Sequence, residues 1–328
     1  MGFAASGILH ITTLAVTPES EPLNELEVRP PRPAESAQIV TLLTAGESEM
    51  RRHLITSSVA GALKNPDAKT VGLVAACGDQ MRGAVIGSAL PGGTGVLVGL
   101  RIATEEQDEL TPEAAAEVAA PLFQALTAYL HALDVRFIQS TCDTQSPPAE
   151  LMAVGFQHLA DLQYLSVEAS ALNAQVSPEL TFVDATELSE EQIVELVEQT
   201  YIDTRDCPSM NQYRIASETL ASYRAMPQHD PTAWRIAQHK GEAIGCVLTL
   251  PFVDSNALEL TYMGVVPSAR GNRWGASLVS EAGRIAQQRG LQTVNLGVDQ
   301  KNDPAQQIYE RFGFTSFFGE SVWGRRID

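Results

Sequence analysis

The segment Arg270-Gly271-Asn272-Arg273-Trp274-Gly275-Ala276 follows directly on the apolar stretch that ends in Val265-Val266-Pro267. A strand that runs into a tight Arg/Gly turn and then opens a helix presents a row of backbone N–H groups beside the positive end of that helix. Such a corner suits a pyrophosphate, so a nucleotide-type cofactor is expected there. Two better-known phosphate loops do not fit. No Gly-Lys-Ser/Thr follows the last glycine, which excludes a Walker loop. The pair Gly271 and Gly275 lacks the G-x-G-x-x-G spacing of a dinucleotide fold.

The elements that must position this turn form a pattern that occurs twice. Helical periodicity begins after Pro33, strands are expected at 70–77, 83–90 and 95–102, a helix capped by Thr111 with Pro112 at its first position, a strand at 135–142, and a short helix from Pro148 that ends at Gly155. The second half repeats the order: a strand at 180–183, a helix from Ser189 with Gln192 at capping-box spacing, a hairpin around Lys240-Gly241, a strand at 258–266, a helix at 275–289, a strand at 293–298, and a helix closed by Gly313. The echo is clearest between Val135–Phe156 and Val294–Phe314. Residues 1–26 are expected to be an N-terminal extension, with a strand at 7–16. The two repeats are placed at 27–172 and 178–328, separated by an Ala/Asn/Ser-rich boundary.

Bulk properties narrow the function. A net charge of −18 over 328 residues argues against a nucleic-acid partner and favours cationic small molecules such as amines. No apolar run approaches the ~20 residues of a membrane span, and no secretory signal pattern opens the chain, so a soluble cytoplasmic protein without a membrane partner is expected. Cys77, Cys142, Cys207 and Cys246 form no CxxC pair, so neither zinc nor any other metal is expected.

The strand ending in Val-x-Pro, the turn from Arg270 to Gly275, and then Asn302, Ala305, Tyr309 and Gly313-Phe314 together resemble the GNAT superfamily of acyl-CoA N-acyltransferases. The match covers 180–328. One position departs from it: where the family has its first motif glycine, this chain has Arg273, which keeps its N–H useful provided its φ stays negative. The resemblance implies an α+β protein of two tandem GNAT-like domains. Each would be a mixed, mostly antiparallel sheet flanked by helices, as in mycothiol synthase-like proteins. It implies acetyl-CoA as acyl donor, with Met263, Val265 and Val266 pairing the pantetheine arm, the N–H groups of Arg270, Gly271, Asn272, Arg273, Trp274, Gly275 and Ala276 holding the pyrophosphate, and Asn302 and Ala305 meeting the arm again.

By the same resemblance Tyr309 is the expected general acid, Glu259 the general base and the Val265 N–H an oxyanion donor. The loop at 201–214 would cover the acceptor, with Asp203 or Asp206 binding an amine and Arg214 a carboxylate. The first half offers Leu151 where Tyr309 would fall, no carboxylate in place of Glu259, and an acidic segment at 104–110 in place of the phosphate turn. It is therefore expected to be a degenerate domain that buttresses the second and walls the acceptor cleft. The activity implied is acetyl transfer to the primary amine of a small molecule in a ternary complex, by a monomer or homodimer. The alternatives are an acyl-CoA-binding sensor and a protein-lysine or N-terminal acetyltransferase.

Overall fold

The computed structural model describes residues 25–64, 69–104, 110–142, 149–173, 176–213 and 215–327. The strand expected at 7–16 lies outside them. The first half runs β1 (Glu27–Arg29), α1 (Ser36–Leu43), α2 (Glu49–Lys64), β2 (Thr70–Cys77), β3 (Gln80–Ala89), β4 (Thr94–Ile102), α3 (Pro112–His131), β5 (Phe137–Cys142), α4 (Ala149–Ala153) and β6 (Gln157–Glu168). The second runs β7 (Leu180–Asp184), α5 (Glu190–Tyr201), α6 (Ala216–Arg224), β8 (Arg235–His239), β9 (Glu242–Phe252), β10 (Ala257–Val265), α7 (Trp274–Gln288), β11 (Thr293–Asp299), α8 (Asp303–Arg311) and β12 (Thr315–Arg326).

The helix signals in the sequence act as local chemistry requires. Ser189 and Gln192 cap α5 reciprocally, and the Thr111 hydroxyl accepts from the Ala114 N–H at the start of α3. Helix α3 buries Ala115, Val118, Ala119, Leu122, Leu126 and Leu130 at three- and four-residue spacing. Helix α7 buries Leu278, Ala282 and Ile285 in the same way against the second half of the sheet. Each fully buried leucine or isoleucine contributes about 1.5–3 kcal/mol.

All strands join one twelve-stranded sheet in the order β1-β2-β3-β4-β5-β12-β6-β11-β10-β9-β8-β7. Pairing is antiparallel except for β4 with β5 and β10 with β11. The order contains an exchange. Strand β6 of the first half lies between β11 and β12, and β12 of the second half lies between β5 and β6. Each exchanged strand thus has both its neighbours in the other half of the chain. The sequence pattern had suggested two units that each end in a short helix; each in fact continues into a strand that crosses over. Among the described residues, no helix is long and apolar enough to cross a membrane.

Candidate active site

Strands β10 and β11 pair only at Ala257, Leu258 and Glu259, opposite Thr293, Val294 and Asn295. Beyond Glu259 they diverge. A bulge falls at the same point, because Leu260 pairs with Thr249 on β9 while Tyr262 pairs with Leu248, leaving Thr261 as the extra residue. The divergence opens a cavity of about 680 Å³ lined by β10 from Leu260 to Val265, the turn before α7, and the start of α8. The Val266 N–H donates to the Ile244 carbonyl. By antiparallel alternation the N–H groups of Val265 and Met263 therefore face the open side. The Thr261 hydroxyl, at the bulge, is buried without a hydrogen-bond partner among the described residues.

The turn is built to leave amides free. Its backbone reaches left-handed φ at Gly271 (84°) and again at Arg273 (60°), and Arg273 occupies the cap position of α7 without a side-chain cap bond. No backbone or side-chain acceptor meets the N–H groups of Gly271, Asn272, Arg273, Trp274 or Gly275 among the described residues. Successive unpaired amides at a helix start form an anion cradle. Gly275 is required for packing as well, since a Cβ there would come within 2.8 Å of Ile308 Cδ1.

Several expectations for this corner need correction. Arg273 does not keep a negative φ; it bears the left-handed strain of about 1–2 kcal/mol that a glycine would avoid. The Arg270 N–H is spent on the Pro267 carbonyl and the Ala276 N–H on that of Arg273, so neither joins the cradle. The Arg270 guanidinium instead ties together the carbonyls of Val265, Thr200 and Asp203, at 3.0, 3.0 and 3.1 Å, which locks the end of α5 to the turn. Val266 is buried and its N–H faces β9, away from the cavity. The Asn272 side chain folds back on the Ala269 carbonyl. Met263, Val265, Gly271, Arg273, Trp274, Gly275, Asn302 and Ala305 do line the cavity, Asn302 as the cap of α8.

Tyr309 is buried on the cavity wall, edge-on to Phe314 at 5.3 Å. Burial, reinforced by the Asp206 charge, pushes its phenol well above the usual range, so it keeps its proton and can donate it. Glu259 does not share that cavity. The extra residue at Thr261 breaks the period-two relation that would have put Glu259 on the same side as Val265. Glu259 lines a second cavity, of about 340 Å³, together with Tyr164, Asn295, Phe317, Phe318, Glu320, Arg51 and Thr141. Gly297 lines both. Desolvation raises the Glu259 carboxyl above the ordinary value, and no hydrogen-bond or ion-pair partner meets it among the described residues.

Asp203 and Asp206 lie on the wall of the first cavity, not the second. Asp206 also accepts from the Asp299 N–H, which fixes the loop to the end of β11. Arg214 lies outside the described residues. The second cavity was missed in the sequence because, apart from β10 and β11, its walls come from β6 and β12, which carry no motif, and from Arg51 and Thr141 of the first half. Among the described residues, no cluster of three or more His, Cys, Asp or Glu is placed to hold a metal ion.

Residues 193–314 match the acetyltransferase (GNAT) family model. A mycothiol acetyltransferase of Streptomyces avermitilis is 32% identical over 102 residues, 31% of this chain and 33% of that protein. A mycothiol acetyltransferase of Thermomonospora curvata is 36% identical over 100 residues, 30% and 33% of the two chains. The similarity thus spans about a third of the length of these relatives. The crystal structure of a GCN5-related N-acetyltransferase from Sphaerobacter thermophilus superposes with a TM-score of 0.56 at 14% identity, over 92% of this chain and 95% of that one. The match to the GNAT family is thus confined to residues 193–314, and the superposition together with the repeated plan gives the whole chain a tandem GNAT fold.

Proposed function

We propose that the second half transfers an acetyl group from acetyl-CoA to the primary amine of a small molecule, by direct attack in a ternary complex. The observation that carries this is the row of unpaired amides from Gly271 to Gly275, at an uncapped helix start beside the diverging edge of β10. Those amides fit a diphosphate. The outward N–H group of Met263 fits an extended amide-bearing arm laid against the strand edge, while that of Val265 is kept for the reacting carbonyl. Acyl transfer is further supported by the family match and by the relatives, which are named as acetyltransferases.

In this reading Glu259 accepts the proton of the attacking ammonium; its raised pKa brings it nearer to the working pH, where a general base is most effective. The Val265 N–H stabilises the developing oxyanion, and Tyr309 returns a proton to the departing thiolate. The first half supplies none of these groups. The proposed division is one unit at 27–172 and one at 178–328, each completed by the last strand of the other. Calorimetry with acetyl-CoA, followed by release of the free CoA thiol with a panel of amines, tests the proposal. Binding without thiol release on a broad panel would make the protein an acyl-CoA sensor. Absence of binding at millimolar ligand would end the enzymatic reading.

A further inference from the structure

The second cavity holds the carboxylate proposed as base, yet it is shaped largely by residues outside the matched domain. Its electrostatics are uneven. Glu320 is buried and accepts from the Tyr164 hydroxyl at 2.6 Å, with Arg51 Nη1 at 3.9 Å. Arg51 looks like a receptor for a ligand carboxylate, but its guanidinium is already committed: Nε to Glu47 and Nη1 to the Thr141 hydroxyl at 2.7 Å. Glu47 is held in turn by Arg101 at 2.6 Å. Glu47, Glu320 and Glu150 together more than offset Arg51 and Arg101, and among the described residues Glu259 is left as an uncompensated negative charge facing the cavity. Beside Asn295, Leu296 and Gly297 the remaining wall is aromatic, with the Tyr164 and Phe318 rings 5.7 Å apart.

An anion entering this space would meet Glu259 and Glu320, with no free cation among the described lining residues to receive it. An ammonium would meet a lone carboxylate beside ring faces, which also attract cations. We propose that the second cavity is the acceptor subsite, and that its ligand is a primary amine with no anionic group of its own, its flat or apolar body lying against Tyr164 and Phe318. This deepens the acetyl-transfer reading and rests on it. The first half has a role in specificity on this account. Arg51, held in place by the Thr141 hydroxyl, neutralises Glu320, so that only Glu259 draws the amine.

Matched pairs that differ by one carboxylate test the idea: phenethylamine against phenylalanine, and tryptamine against tryptophan. Each is titrated by calorimetry into protein saturated with coenzyme A, which requires no turnover. The amine of each pair is expected to bind ~10-fold or more tightly than its amino acid, from like-charge exclusion. Phe318→Ala should weaken the amine ~10-fold by loss of ring contact while leaving coenzyme A affinity unchanged. Glu320→Gln should narrow the gap within each pair by freeing the Arg51 charge; if that variant does not fold, the wild-type pairs and Phe318→Ala decide alone. Equal binding within pairs, tighter amino acid, or no binding of either member to the coenzyme A complex overturns the proposal. Failure of coenzyme A itself to bind would instead sink the acetyl-transfer reading, so the two failures are distinguishable.

Discussion

The two halves contain the same corner built to opposite ends. Strands β4 and β5 pair in parallel only at Thr94, Gly95 and Val96 before separating, as β10 and β11 do at Ala257, Leu258 and Glu259. Both strands carry a bulge at the same place, where Ile86 pairs with Gly99 and Gly87 with Leu97. In the first half the gap is closed. The Ser140 hydroxyl crosses it to the Leu97 carbonyl at 2.9 Å, and Arg101 stands where Gly264 stands in the second half, held by Glu47. Helix α3 begins with its own Thr111 cap, whereas α7 begins with bare amides. By register Val96 occupies the place of Glu259. Leu151 occupies that of Tyr309, since both carbonyls accept from the phenylalanine five residues on, at 2.9 and 3.0 Å. The fold alone therefore does not open the corner. What opens it is the removal of the groups that would otherwise satisfy it from within.

The difference can be broken most severely at the turn. Gly275→Glu brings a Cβ against Ile308 and a carboxylate into the amide cradle, and should abolish acetyl-CoA binding in calorimetry. At the corresponding corner Thr111→Ala should cost about 1 kcal/mol of stability by loss of a cap, with acetyl-CoA affinity untouched; an effect on affinity would mean that the corners are not independent. Tyr309→Phe should lower turnover ~10-fold or more at unchanged acetyl-CoA affinity, and unchanged turnover would move the acid elsewhere.

Glu259→Gln sharpens the comparison through pH. A base whose pKa is raised by burial gives turnover that falls on the acid side at a higher pH than an ordinary carboxylate would, and the Gln variant should lose that limb along with most activity. Stability should move the other way. Because the folded-state value is raised, the native protein is favoured fully below the unfolded value of about 4.3 and loses that advantage as pH rises through the folded one. Glu259→Gln should therefore raise the melting temperature at pH 7–8, with the gain fading below about pH 4. The smallest expected effect is that of Arg273→Gly, which should stabilise the protein by about 1 kcal/mol through relief of the left-handed residue; a melting temperature that falls would show that the Arg273 side chain contributes more than its backbone costs.

The turn, the helix caps and the repeat were legible because each depends on residues close in sequence: Thr111 with Ala114, Ser189 with Gln192, Gly275 with the helix it opens. The side of the sheet that Glu259 faces was not legible. A single extra residue at Thr261 reverses the alternation, and nothing in Leu-Glu-Leu-Thr-Tyr announces it. The spent amides of Arg270 and Ala276 escaped notice for a similar reason, since they depend on the path of the turn and not on its composition. The second cavity lay furthest out of reach. Tyr164 and Glu320 meet across 156 residues of chain, on strands that carry no motif, and Arg51 arrives from a helix that the periodicity did not reveal.

The crossing of β6 and β12 has a consequence for how such a chain can change over time. A gene shortened to either half would encode a sheet missing its last strand and carrying another with no neighbours, and bare strand edges recruit foreign chains into aggregates. The half with the sealed corner cannot be shed once its partner has borrowed a strand from it. Redundancy that would ordinarily be lost by deletion is here retained by mutual dependence, leaving the copy with the sealed corner free to acquire new tasks while it remains indispensable.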